Sequence, residues 1–318
     1  FPHDDPASMT LAPWFAPWAD AFVPIFGLLA LGAFLKRRLL REDVVWAGIE
    51  RLIFWVLLPC LVAGALSTIR FGDVPLLGMA GAIWGALATG TVAAVILARA
   101  LGCDHAAMTS VLQGGIRFNN LMGFAIAGAI WGAPGIALAA VATGLIVPFV
   151  QTVATIAFAL GRDGGRVRPL SLLRQVALNP LIIGVVAGFA LGALGGLPPG
   201  LQPAVRSLGH ASVALGLLCV GAGLTLQGLG DRPGIQAATG ALKLVAMPTL
   251  TWALCVALGL GALPTAIAVT FMAMPTAATS YVMARAMGGD AKLMAAITTS
   301  EHLASVLTLP IWVWLLTR

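Results

Sequence analysis

AAMTSVLQGGIRFNNLMGFAIAGAIW, residues 106–131, is a run of twenty-six residues carrying one charge, and that charge, Arg117, sits near its centre. As a helix rising about 1.5 Å per residue the run extends about 39 Å, more than the hydrocarbon core of a bilayer, which is about 30 Å thick. Paired glycines at Gly114 and Gly115 and paired asparagines at Asn119 and Asn120 give its middle little helical preference. The run therefore reads as a membrane span broken in the middle, with a guanidinium at the break.

The rest of the chain supports a lipid environment. Of its 318 residues 59% are hydrophobic and 9% charged, where a soluble domain has about a quarter charged; mean hydropathy is +0.98. Apolar runs between charged or Gly/Pro punctuation predict ten spans. In the first half they are Trp18–Leu35, Arg51–Ser67, Val74–Leu101, Ala106–Trp131 and Pro134–Leu160. The second half holds Val176–Leu194, Pro203–Leu226, Gly234–Leu260, Pro264–Met287 and Ala291–Leu316. The domain reading is a polar tail over 1–17, a five-helix repeat over 18–160, a cytoplasmic linker over 161–175 and a second five-helix repeat over 176–318. FPHDDPAS, ahead of Met9, has neither the basic start nor the apolar core of a secretory signal, so the first span is expected to direct insertion itself.

Lys and Arg collect in short cytoplasmic loops of membrane proteins. With both termini outside, thirteen basic residues fall in inner loops (Lys36, Arg37, Arg38, Arg41, Arg51, Arg99, Arg162, Arg166, Arg168, Arg174, Arg232, Arg285 and Lys292) and three outside, Arg70, Arg206 and Arg318. The net charge of +6 is thus explained by topology; the basic residues are not massed with aromatics as a nucleic-acid surface would have them. The expected location is a plasma membrane, specifically a bacterial inner membrane, with multiple passes.

The halves also resemble each other at a spacing of 156 residues, where Pro24, Gly32 and Leu35 fall on Pro180, Gly188 and Leu191. With a drift of one residue Leu58, Gly64 and Ala65 fall on Leu215, Gly221 and Ala222. Five spans per half force opposite orientations, the inverted repeat of many alternating-access carriers. In the second half the position matching the Arg117 break is Met274-Pro275-Thr276-Ala277-Ala278-Thr279-Ser280, where Pro275 removes a backbone donor and ends the helix. The predicted fold is an all-α membrane protein of ten helices with broken, crossing helices four and nine.

Ionisable groups inside hydrocarbon are costly and so are functional candidates. Arg117, with backbone N–H groups of half-helix N-termini, suits a carboxylate; Gln113, Asn119, Asn120, Pro275, Thr276, Thr279 and Ser280 complete the predicted binding site. The alternative is a permanent Arg117–Glu301 pair clamping two helices, with the asparagines bonding helix to helix. Glu301, His302 and Lys243 are the coupling candidates, Glu301 because a buried carboxylate exchanges protons near neutrality and His302 because imidazole titrates there. The bland reading of Lys243 is a side chain snorkelling to the cytoplasmic surface.

Cys60, Cys103, Cys219 and Cys255 lie outside metal-ligand spacing, so no metal site and no cofactor are expected. No GxxxxGK[ST] loop, HExxH or paired intramembrane aspartates occur, so neither direct ATP drive nor an enzyme is expected. The two GxxxG matches beginning at Gly81 and Gly128 are ordinary in a chain with 38 glycines.

Two stretches, Gln113–Trp131 (QGGIRFNNLMGFAIAGAIW) and Met274–Pro310 (including PTAATSYVMARAMGGDAKLMAAITTSEHLASVLTLP), resemble the auxin efflux carrier family, which includes plant auxin exporters and bacterial malonate or malate-type carriers. The resemblance runs from about Phe22 to the end. It implies ten helices, a scaffold domain, and a transport domain in which helices four and nine cross at their breaks. The chain departs from the family pattern in lacking a proline at the fourth-span break. The function read from all this is a secondary transporter of a small organic anion, a mono- or dicarboxylate, coupled to protons, to sodium or to nothing; the alternatives are an anion channel or a ligand sensor retaining the carrier fold. The expected partners are that carboxylate, membrane lipid and a coupling proton or sodium ion, with a second copy of the chain as a homodimer partner and no nucleic acid.

Overall fold

A computed structural model describes residues 16–69, 72, 74–161 and 169–318. Nearly all of the predicted polar tail, Arg70, and Arg162, Arg166 and Arg168 of the predicted linker lie outside the described residues. The protein is 83% helix with no strand among the described residues, as a chain in lipid must be when every backbone polar group has to be satisfied within its own segment.

The elements in chain order are α1 (Ala16–Arg38), α2 (Asp43–Leu52), α3 (Leu58–Leu66), α4 (Leu76–Ala100), α5 (His105–Ile116), α6 (Asn120–Leu160), α7 (Pro169–Ala177) and α8 (Pro180–Ala193). They continue with α9 (Leu201–Gly223), α10 (Pro233–Ala241), α11 (Met247–Ala257), α12 (Ala262–Ala273), α13 (Thr279–Met287) and α14 (Ala291–Leu316). Among the described residues six stretches are long and apolar enough to cross a membrane: Ala19–Arg38, Asp43–Leu66, Leu76–Ala100, His105–Leu160, Leu201–Gly223 and Pro233–Ala257. The α7–α8 pair, bent by 56°, adds a seventh when taken as one span.

Two of these spans pass through a π-helical turn, Ile53–Leu57 between α2 and α3 and Leu242–Ala246 between α10 and α11. Each turn is followed by a proline, Pro59 or Pro248. A proline mid-span has no N–H and crowds the carbonyl four residues back, so the helix widens there rather than breaking. The carbonyl that Pro248 frees belongs to Leu244, and the indole Nε1 of Trp312 donates to it at 2.8 Å.

α6 is a single element only nominally. Gly132 has φ 61° and ψ −148°, a conformation open essentially to glycine, and the chain turns there.

Two packing groups result. α1 packs on α9 while α3 packs on both α8 and α9; α4, α5, α11, α12 and α14 pack with one another and with α6, which also packs on α1, α3, α8 and α9. The first group is held by backbone approaching backbone. A Cβ on Gly32 would collide with the Leu218 carbonyl, and one on Gly221 with that of Leu29. Gly188, which matches Gly32 in the sequence, sits in the same way against Ala63 and Leu66 of α3. Small residues let helices approach where the lipid supplies no hydrophobic drive between them.

Candidate functional site

Two helix breaks meet at the centre of the second packing group. α5 ends at Ile116; Arg117 is extended (φ −77°, ψ 162°), and Asn119 caps α6 by accepting from the Met122 N–H at 3.2 Å. α12 ends at Ala273, and Met274 is extended (φ −64°, ψ 141°) because the ring of Pro275 disfavours helix in the residue before it. The breaks are bonded to each other. The Asn119 N–H donates to the Pro275 carbonyl at 2.7 Å, and the Thr276 hydroxyl donates to the Gln113 carbonyl at 3.2 Å. Thr276 Oγ1 also lies 3.4 Å from Ser280 Oγ.

Gly114 and Gly115 were expected to loosen this span, yet both remain inside α5. A Cβ on Gly114 would come within 2.7 Å of Ile297 and of Thr239, so the glycines let α5 nest against α14 and α10. The opening falls one turn later, at Arg117-Phe118-Asn119.

Arg117, Asn119, Asn120 and Thr279 line a cavity of about 340 Å³, together with Ala277 and Ala278 and with side chains from α2, α3, α6, α8 and α9. That volume lies within the range of small-ligand sites. The Arg117 guanidinium donates to Gln113 Oε1 at 3.5 Å, to Met283 Sδ at 2.9 Å and to Thr279 Oγ1 at 3.1 Å, all neutral groups. Its positive charge therefore meets no carboxylate among the described residues. Two further donors, Gln113 Nε2 and Asn120 Nδ2, are buried without a hydrogen-bond partner, although Asn120 Oδ1 accepts from Thr143 Oγ1 at 2.7 Å. The break thus offers one cation and spare donors beside an apolar hollow.

Residues 18–313 match the family model described as membrane transport protein, the family of the auxin efflux carriers. The chain belongs to this family. It is a family of transporters and not of enzymes. A search of curated proteins finds no match.

In this transporter the other ionisable candidates stand behind the cavity rather than in it. Glu301 is 1% exposed; its Oε2 accepts from the Thr276 N–H at 2.8 Å and its Oε1 has no hydrogen-bond partner. Lys243 does not snorkel. It is 0% exposed, with Nζ unbonded, inside the π-helical turn that faces α5, α12 and α14. Lys243 and Glu301 are near enough for each to feel the other's charge, although no hydrogen bond or ion pair joins them. Glu301 makes no ion pair with Lys243 or with Arg117 among the described residues.

His302 places its Nδ1 2.7 Å from the Thr298 carbonyl and its Nε2 3.0 Å from Asn119 Nδ2. A carbonyl accepts only, so Nδ1 carries the hydrogen and Nε2 accepts from the amide. That is the pattern of a neutral imidazole, and it fixes the asparagine that caps α6.

Of the residues singled out in the sequence, Arg117, Asn119, Asn120 and Thr279 reach the cavity, whereas Gln113, Pro275, Thr276 and Ser280 form the crossing itself. Glu50, Gln151 and Asn179 also line the cavity and were missed. Glu50 was legible in principle. The span was started at Arg51, whereas the apolar periodicity, with Trp46 buried, begins at Asp43. Among the described residues no group of His, Cys, Asp and Glu is placed to hold a metal ion.

Proposed function

We propose that this transporter moves a small organic anion by alternating access, with Arg117 taking the carboxylate at the meeting of the two breaks. The observation that carries this is a half-buried guanidinium with only neutral partners, set in a cavity wall beside the unbonded amide donor of Asn120. Gln113, Pro275, Thr276 and Ser280 support the crossing, and Thr279 and Asn119 complete the polar side of the pocket.

The architecture we infer is ten crossings in two inverted halves, 18–160 and 176–318, joined by a cytoplasmic linker. A continuous helix over the 56 residues His105–Leu160 would extend about 84 Å, far beyond one bilayer, and the turn at Gly132 divides it into two crossings. The bent α7–α8 pair, the α12–α13 pair and α14 supply the remainder. The contacts obey the exchange of halves, since α1 on α9 corresponds to α8 on α3, and α12 on α6 to α14 on α5. In this reading both termini lie outside a bacterial inner membrane, an orientation that the uneven distribution of Lys and Arg supports.

Coupling, in this reading, runs through Glu301. Its carboxylate is buried with Oε1 unbonded, a group able to take up and release a proton, and a cation at Lys243 disfavours a sodium ion beside it. His302, neutral and doubly bonded, positions Asn119. Reconstitution into proteoliposomes tests the whole reading. Saturable uptake of a labelled carboxylate, counterflow, and stimulation by a pH gradient are expected; large unitary currents would make the protein a channel, and binding without flux a sensor.

A further inference from the structure

The cavity has a second charged residue in its lining. Glu50 lines it from α2, exposed and without a hydrogen bond or ion pair to any described residue. It lies seven residues into the Asp43–Leu66 span, about 10 Å from the start at 1.5 Å per residue. An ionisable side chain at such a place is a functional candidate unless a partner explains it. The charges near it in sequence do not explain it, since Lys36 pairs with Asp43, and Arg51 is in no ion pair with Glu50. Arg117 lines the same cavity yet bonds to Gln113, Met283 and Thr279 instead. The rest of the wall is largely apolar, with Ile53, Leu58, Val147, Val150 and Leu181 among its residues.

We propose that the substrate is two-ended, a monocarboxylate bearing a protonated amine at its far end, with Arg117 holding the carboxylate, the apolar wall holding the carbon skeleton and Glu50 holding the ammonium. This rests on the reading of Arg117 as the carboxylate site and narrows it. A dicarboxylate would bring its second negative charge against Glu50, whereas an ammonium gains a charge-assisted hydrogen bond there. Glu50 belongs to the packing group of α1–α3, α8 and α9, and Arg117 to the other group. A two-ended ligand therefore bridges both bodies, and a ligand with one end leaves one body ungripped.

The test is calorimetric binding to the purified full chain in lipid nanodiscs, using three straight-chain series from butyric to octanoic length: ω-aminocarboxylates, plain monocarboxylates and dicarboxylates. At the best-fitting length the wild type should bind the aminocarboxylate about tenfold tighter than the monocarboxylate, and the dicarboxylate weakest. Glu50→Gln should erase the amine's advantage, so that the aminocarboxylate binds no tighter than the monocarboxylate, and Glu50→Lys should make the dicarboxylate the tightest ligand. Because the Glu50 side chain bonds to no described residue, neither change leaves a buried described group without its partner, and matching thermal midpoints will confirm it.

An order of affinities that is the same in wild type, Glu50→Gln and Glu50→Lys overturns the proposal, as does a wild type that prefers the dicarboxylate. Arg117→Gln separates the two failures. If it abolishes binding of all three series while the Glu50 variants change nothing, only the two-ended substrate falls; if carboxylates still bind Arg117→Gln normally, or none binds the wild type, the Arg117 site falls with it.

Discussion

The chain is broken twice at one place by different means. At Met274–Ala278 the break is written into the backbone, because Pro275 has no N–H and holds Met274 extended. At Arg117–Asn119 no proline occurs, and side chains make the break: Asn119 caps α6, and His302 holds the amide of Asn119 from α14. The first break would form in almost any surroundings, whereas the second depends on its neighbours. The charge that faces the cavity sits on the second. A binding group on a break held by side chains can change its bonds when a ligand arrives, while the proline break keeps the crossing in register.

The largest effect expected on this pair of breaks comes from Glu301→Gln. The amide oxygen still accepts from the Thr276 N–H of the proline break, so the substitution keeps that bond while it removes the charge and puts an amide donor in place of Oε1. Lys243 is then left buried without the opposite charge near it, which should cost about 3–5 kcal/mol, read as a fall in the unfolding midpoint in detergent. Adding Lys243→Met should return most of that loss. Unchanged stability in the single variant would mean that the pair does not hold the crossing.

Next in size is Asn119→Ala, which removes a helix cap and leaves His302 Nε2 without its donor. A loss of about 2 kcal/mol is expected in the same measurement. Pro275→Ala should be smaller, under about 1 kcal/mol, because the Met274 angles are open to any residue and the Asn119-to-Pro275 backbone bond survives. If Pro275→Ala destabilises more than Asn119→Ala, the ranking of the two breaks is reversed, and the proline is the sensitive one.

Hydropathy made the helices legible from the sequence, since a span must be apolar end to end whatever its neighbours are. Val74–Leu101 was expected where α4 runs Leu76–Ala100, and Ala291–Leu316 matches α14. Both breaks were legible too, from Pro275 and from the asparagine pair. What the linear pattern does not carry is which side chain faces which. Lys243 looked long enough to reach water, but the π-helical turn ahead of Pro248 shifts the helix register there and Lys243 lies in the interior. Glu301 looked like the natural partner of Arg117, being the one acid near the middle of a predicted span; only the fold shows that the Thr276 N–H takes it up. Gly114 and Gly115 read as flexibility, whereas tight packing against Ile297, Thr239 and Leu242 is what requires them.

The central claim is that Arg117 binds the anion through its forked donors and not merely through its charge. Arg117→Lys keeps the charge and loses the planar fork. Saturable uptake of labelled carboxylate by proteoliposomes holding this variant measures the claim directly, with the unfolding midpoint checked alongside. The account predicts an apparent affinity at least about tenfold weaker in a protein that unfolds at close to the wild-type temperature. Uptake by Arg117→Lys with wild-type affinity and rate would contradict it.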